Sequence, residues 1–307
     1  MMRTLDGVLL FDKPFALSSN AALQKVRRLF QAEKAGHTGT LDPLATGLLP
    51  ICFGEATKFA SSLLEADKTY HASIRLGQTT TTGDAEGDTI SICAVELNEE
   101  QVRSTLCNFV GEIQQVPPMY SAIKHQGRPL YEYIRKGETV VRASRSVMIH
   151  ELILLSFESD LVEIRVRCSK GTYIRTLAED IGMVLGCGAY LQGLRRTAIG
   201  PFNLEDAHDF AQMESIDMLE REAYVLPPDS LLLDMPALDL DITQVTRIAQ
   251  GQCLAVSDGL PDGRVRLYGP QCFVGVGDLV GQKLTPVRLT SGVAKIAACP
   301  GWVAATA

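Results

Sequence analysis

The chain has 307 residues, 46% of them hydrophobic and 21% charged, with a formal net charge of −7. That length and balance predict about two globular domains and exclude a disordered or low-complexity chain. No run reaches the roughly 18–20 apolar residues of a membrane helix, and eight scattered cysteines without one Cys-x-x-Cys pair speak against a zinc site or a disulfide framework.

The acid is unevenly spread along the chain. Residues 1–202 carry 22 Lys+Arg and 22 Asp+Glu, residues 203–241 carry 11 acids and one base, and residues 242–307 carry six bases and three acids. The flanking regions are therefore free to present positive faces to phosphates, and the bulk charge does not exclude RNA. Residues 1–14 offer no apolar run ahead of a small-residue cleavage site, so a cytoplasmic protein is expected.

In chain order, residues 7–11 read as a short buried strand ending at Asp12-Lys13-Pro14. Ser18, Ser19 or Asn20 caps a helix to about residue 30, with Leu23, Val26, Leu29 and Phe30 on one face. Residues 36–47 have no period and read as an ordered loop. Residues 69–76 alternate, with Tyr70, Ala72, Ile74 and Leu76 on one side, as a half-buried strand does. Residues 79–88 read as a loop, and Asn98 with Gln101 reads as a capping box opening a helix to about residue 109. Residues 147–157 and 161–168 form a strand pair, residues 172–185 a helix stopped at Gly186, and residues 191–199 a further strand. Pro227, Pro228 and Pro236 then mark a boundary, predicting domains over 1–235 and 236–307. The last part carries β-prone runs at 264–267, 272–276 and 293–297 between Gly and Pro turns, which predicts a small β-barrel.

The loop around Asp42 carries the densest constraints. An Asp-Pro pair in a Gly-rich loop ordinarily caps its own backbone. Here Gly36, Gly39 and Gly47 permit close backbone approach or positive φ, Pro43 fixes φ after the aspartate, and Leu41 and Leu44 can anchor the loop to the core. Such a loop holds one carboxylate in a defined place, as a nucleophile or a general base requires. A second cluster lies between residues 120 and 145. Lys124, Arg128, Arg135, Lys136, Arg142 and Arg145 are interleaved there with Tyr120, Tyr131 and Tyr133, against only Glu132 and Glu138. Charge mixed with aromatics suits phosphate contact and stacking on unpaired bases, although a solvated charged helix reads the same way. Lys25, Arg27, Arg28, Lys34, Arg195 and Arg196 can extend that footprint.

The run Gly36-His37-Thr38-Gly39-Thr40-Leu41-Asp42-Pro43-Leu44-Ala45-Thr46-Gly47 resembles the catalytic-aspartate motif of the TruB-type pseudouridine synthases. The resemblance covers nearly the whole chain. Asp12-Lys13-Pro14, Thr69-Tyr70, Ser169-Lys170-Gly171-Thr172-Tyr173-Ile174-Arg175-Thr176 and Leu194-Arg195-Arg196 resemble further motifs in the family's order. One departure is Ala16, where many members of the family carry glycine.

The resemblance implies an α+β pseudouridine synthase fold with a central, mostly antiparallel sheet, an RNA-gripping insertion at about 118–146 and a PUA-like C-terminal barrel. It implies an isomerase that flips uridine 55 out of the T-stem loop of tRNA and converts it to pseudouridine. No cofactor, no metal, no membrane and no obligatory protein partner are expected, and the enzyme is expected to be a monomer. Asp42 would be the catalytic carboxylate; attack at C6, attack at C1′ and ribose proton abstraction all stay open. Tyr70 would stack on the uracil and assist proton removal from C5, and Arg175 would pair with Asp42. Tyr173 and Leu194 would line the uracil pocket, and His37 would fill the space that the flipped base vacates. Lys124, Arg128 and Lys136 would contact RNA, while Asp84 would be either structural or RNA-positioning. Two alternatives are a guide-RNA-dependent synthase and an RNA chaperone that assists tRNA folding.

Overall fold

Alternating burial is what builds this protein. In the strand Lys68–Leu76, Ala72, Ile74 and Leu76 are buried, and in Leu161–Cys168 the same holds for Val162, Ile164, Val166 and Cys168. The two strands pair antiparallel, so these side chains join one apolar cluster. The structure, a computed structural model, describes residues 2–121, 123–134, 136–138, 140–257, 259–270 and 272–293.

The large sheet has ten strands. Its main path runs Val225–Leu226, Gly7–Lys13, Ala45–Phe53, Ala189–Ile199, Lys68–Leu76, Leu161–Cys168, Arg145–Glu158 and Gly111–Gln115. Ala35–His37 adds to Ala45–Phe53, and Phe202–Asn203 adds to Ala189–Ile199. Among the described residues one pair in this sheet is parallel: Ala45–Phe53 beside Ala189–Ile199, with Leu194 opposite Ala45 and Arg196 opposite Gly47. The sheet is thus mostly antiparallel, as expected. Three apolar clusters pack against it, and two of them meet at a seam. One includes the helix Ile174–Val184, the other the helix Ser19–Leu29, and half-buried Tyr70 and Leu194 touch both. The seam between two cores is where a polar cleft can open without exposing either.

A second sheet of five strands follows, in the order Ala237–Asp239, Gly263–Tyr268, Phe273–Val280, Lys283–Leu289 and Leu254–Ala255. With the helix Ile242–Ala249 it closes its own core around Leu238, Val245, Ile248, Val265 and Leu267. Several contacts attach it to the larger part, among them these. Phe59 and Phe273 pack with ring centroids 5.3 Å apart, the Tyr268 hydroxyl donates to Asp229, and Lys58 donates to the Leu289 carbonyl at 3.1 Å. No described helix is long and apolar enough to cross a membrane.

Several boundaries differ from the sequence reading. The ends of the 36–47 loop are strands, so the irregular part shortens to 38–44. Residues 79–88 are not all loop, because Gln78–Thr80 pairs with Thr89–Ile92 as a hairpin. The strand Lys283–Leu289 is an addition to the expected β runs; Pro286 within it argues against a strand in the sequence. Of the expected run at 293–297, residues 294–297 lie outside the described residues.

Ala16 gives the first prediction. Its φ is +61°, in the left-handed region, and its N–H donates to the Pro43 carbonyl at 3.0 Å. A Cβ there costs about 1–2 kcal/mol, partly offset by the roughly 0.5–1 kcal/mol of extra chain entropy that glycine loses on folding. Ala16→Gly is therefore expected to stabilise the protein by about 0.5–1 kcal/mol in urea unfolding. A lower midpoint would show that the turn is not strained.

Candidate active site

Asp42 is pinned through both of its neighbours. Ser19, buried at the start of the first helix, donates its hydroxyl to the Leu41 carbonyl at 2.8 Å and accepts from the Leu41 N–H at 2.7 Å. On the other side the Pro43 carbonyl takes the Ala16 N–H, and the side chains of Leu41 and Leu44 are buried. Ser18, not Ser19 or Asn20, caps that helix, which leaves Ser19 free for this second task. From below, Arg196 donates Nε to the Leu48 carbonyl at 2.7 Å and Nη2 to the Gly39 carbonyl at 3.0 Å. Gly47 makes that approach possible. Its φ is +96°, and a Cβ on it would overlap the Arg196 backbone.

Arg175 sits beside this loop in the first turn of Ile174–Val184 with its side chain only 6% exposed. Nη2 lies 3.1 Å from Asp42 Oδ2, and Nη1 lies 3.2 Å from Asp84 Oδ2. Nη2 also donates to the Tyr120 carbonyl at 2.6 Å. One planar fork therefore bridges two carboxylates, one half-exposed and one buried. Asp84 in turn accepts from the Thr82 hydroxyl and from the Glu86 N–H at 3.1 Å. A second cation, Lys13, is buried nearby, donating to the carbonyls of Leu17 at 2.6 Å and Pro14 at 3.0 Å.

These surroundings set the charges. Burial raises the Asp42 carboxyl above the usual carboxylate range, with Asp84 adding to the rise, while Arg175 and Lys13 pull it back. Its outer edge is accessible, at 45% of the side chain, while Oδ2 lies against the buried Arg175. Burial lowers the Lys13 amine to about 8, against the attraction of Asp42. Burial also pushes the Tyr70 hydroxyl up, opposed by the Arg196 cation that faces it across the strand ladder. His37 is lowered by burial and by Arg196, so its half-buried ring is neutral at physiological pH.

The chain thus brings several of the expected residues together. Asp42 and Arg175 are in contact, Tyr70 and Leu194 stand on adjacent strands at the seam, and Tyr173 immediately precedes the Arg175 helix. His37 ends the strand Ala35–His37, one residue before the irregular loop. Among the described residues, no three His, Cys, Asp or Glu side chains gather as a metal site.

The basic segment divides in two. Lys124 and Arg128 lie on the two short strands of a hairpin that turns at Gln126-Gly127, both with positive φ, and Lys136 follows the short helix Leu130–Ile134. All three are exposed and, among the described residues, form no salt bridge. Arg142 and Arg145 are engaged inward instead. Arg142 donates to the Pro117 carbonyl at 2.7 Å, and Arg145 donates to the Gly171 carbonyl and lies over the Tyr173 ring at 5.0 Å. Arg135 and the Tyr131 side chain lie outside the described residues. Arg196, read as part of an RNA footprint, is 1% exposed and cannot reach RNA; Arg195 is tied to Asp12 at 2.6 Å. Asp84, left undecided by the sequence, shares Arg175 with Asp42. Its only local signal was a Thr-Gly-Asp turn.

Comparison with known proteins gives the same picture along the whole chain. Residues 27–174 match the family model described as TruB family pseudouridylate synthase (N terminal domain). Residues 175–234 match tRNA pseudouridylate synthase B C-terminal domain, and 236–290 match Pseudouridine synthase II TruB, C-terminal. The chain is 55% identical over 294 residues to a Burkholderia mallei protein, tRNA pseudouridine synthase B, covering 94% of this chain and 97% of that one. It is 52% identical over 297 residues to the protein of that name from Chromobacterium violaceum, covering 95% and 97%. Among solved structures, a chain of a Cbf5-Nop10-Gar1 complex matches at a TM-score of 0.70 and 25% identity, covering 92% of this chain and 84% of that one. A chain of an H/ACA RNP bound to a substrate RNA containing 2'-deoxyuridine matches at 0.69 and 25%, with the same coverage.

Proposed function

The chain belongs to the TruB family of pseudouridylate synthases, and from that membership we propose that it converts uridine 55 in the T loop of tRNA to pseudouridine. The observation that carries the site assignment is the contact of a half-exposed Asp42 with a buried Arg175 at the seam occupied by Tyr70 and Leu194.

The reaction breaks N1–C1′, forms C5–C1′, releases the C5 proton and leaves a proton on N1. It is redox-neutral and needs no outside reagent. A base inside a folded tRNA must first leave its stack, which costs a few kcal/mol. Tyr70, Tyr173 and Leu194 supply a stacking and apolar surface that returns on the order of 1–3 kcal/mol per base. Tyr70 stays a neutral phenol because burial raises it, which favours stacking over proton removal as its part. Asp42 acts ionised, held by Arg175, at C6, at C1′ or on a ribose proton. Lys124, Arg128 and Lys136 meet the phosphates of the T-stem loop, and His37 occupies the gap left by the base. The five-stranded unit from about residue 236 is a PUA-like accessory contact for tRNA.

A guide-dependent enzyme is the competing assignment. The relatives named as tRNA enzymes are 52–55% identical, whereas the chain from the H/ACA RNP is 25% identical, which favours a stand-alone tRNA enzyme. The deciding experiment uses the purified chain, an unmodified tRNA transcript, EDTA and no guide RNA. Tritium release from C5-labelled uridine, mapped to position 55, is expected. No release, with tight tRNA binding, would reject the stand-alone reading.

The basic turn makes its own prediction. Replacing Lys124, Arg128 and Lys136 together with alanine is expected to weaken tRNA binding and flatten its salt dependence by about one slope unit per lost phosphate contact. An unchanged slope would remove this turn from the RNA surface.

A further inference from the structure

Gln115 ends the strand Gly111–Gln115, at the root of the 118–146 segment, and is only 1% exposed. Its carboxamide reaches 58 residues along the chain. The Tyr173 N–H donates to Oε1 at 3.0 Å, and Nε2 donates to the Tyr173 carbonyl at 3.2 Å. Only this orientation of the amide satisfies both groups, because the flipped one would face donor to donor. A side chain here does what one more strand residue does in a ladder.

What it holds is the entrance of the Arg175 helix. Tyr173 is the residue preceding the first turn, and no side chain caps that helix. Two residues later, Arg175 Nη2 reaches both Asp42 and the Tyr120 carbonyl, while Nη1 faces Asp84. Residues 115 and 120 therefore hold the helix start at two points, Gln115 through the Tyr173 backbone and Tyr120 through the Arg175 side chain. A buried amide with both polar atoms satisfied, fixing backbone rather than another side chain, has little tolerance for change.

We propose that Gln115 is a positioning residue for the isomerisation: it fixes Tyr173 and, through the helix start, the Arg175 fork against Asp42. The RNA-holding segment and the base pocket are thereby set in one frame. This rests on the uridine-isomerase reading above.

The test compares full-length wild type, Gln115→Met and Gln115→Asn on the same tRNA transcript. Methionine keeps the length and loses both hydrogen bonds; asparagine keeps the amide but is too short to span both backbone groups. The single-turnover rate of tritium release is expected to fall on the order of 10²-fold in Gln115→Met, as a sub-ångström to ångström misplacement does. The tRNA Kd is expected to stay within about twofold, since no RNA contact is lost. The acid limb of the rate–pH profile is expected to move to higher pH, because an Arg175 out of place no longer holds Asp42 ionised. A merely structural role would not move that limb. If Gln115→Met does not fold, Gln115→Asn decides. Wild-type rates and an unmoved acid limb in a folded variant, or a loss confined to Kd, would overturn the proposal. A wild type that releases no tritium would instead overturn the isomerase reading, and the two failures are separate.

Discussion

Asp42→Asn is expected to lower pseudouridine formation by on the order of 10⁴-fold or more, with tRNA affinity nearly unchanged. The side chain keeps its size, and its neighbours Leu41 and Pro43 keep their backbone partners. Stability is expected to hold or rise. A carboxyl raised by burial costs folding free energy at pH values where it is ionised, so its removal helps near neutrality. The sign follows from the direction of the shift. The wild-type penalty is present above the raised value and fades as pH falls through it, so the two proteins should converge in acid. Activity runs the other way, since protonation on the same descent removes the reactive form. Urea unfolding of both proteins at pH 7 and pH 4 checks the first statement, and a rate–pH profile checks the second. An Asp42→Asn protein that still turns over at more than a trace would remove this carboxylate from the chemistry. If that variant still accelerates tRNA folding, the protein has a non-chemical role as well.

Arg175→Met should damage both fold and function. It leaves Asp84, with a side chain 3% exposed, as a buried charge held only by the Thr82 hydroxyl and the Glu86 N–H. Breaking a buried pair on one side costs about 3–5 kcal/mol. Adding Asp84→Asn is expected to recover most of that stability by removing the stranded charge, while activity stays lost because Asp42 is still unpaired. Arg175→Lys separates the two functions differently. A single ammonium cannot reach both carboxylates and the Tyr120 carbonyl in one plane, so partial stability without proper orientation of Asp42 is expected. Circular dichroism melts with tritium release on all four proteins would decide. If the double variant were no more stable than Arg175→Met, the loss would come from packing and not from Asp84.

Much of this was legible from the chain because the informative signals are local. The strand Lys68–Leu76 declares itself by alternation, the helix Glu99–Cys107 by its capping box, and the Asp42 loop by glycines, a proline and two leucines within twelve residues. What stayed hidden depends on contacts between distant segments. Nothing near Ser19 says that it will clamp Leu41, and nothing near Gln115 says that it will meet Tyr173. Arg196 reads like its neighbour Arg195, yet register decides the difference: one side chain turns into the core beneath Gly39, the other pairs with Asp12. A buried arginine is the kind of residue composition argues against, and its two carbonyl partners come from a loop and a strand that only the folded sheet brings near.

The parallel strand pair of the large sheet has a consequence for biosynthesis. The Arg196 contact to Leu48 joins residues 148 apart, so the Asp42 loop cannot acquire its floor until the second of those segments has left the ribosome. At about 5–20 residues per second that is a delay on the order of ten seconds, during which the first strands can pair and Ser19 can hold Leu41, but the Asp42 loop lacks its Arg196 floor. In a nascent chain the Asp42 loop therefore stays without this floor until residue 196 has been made.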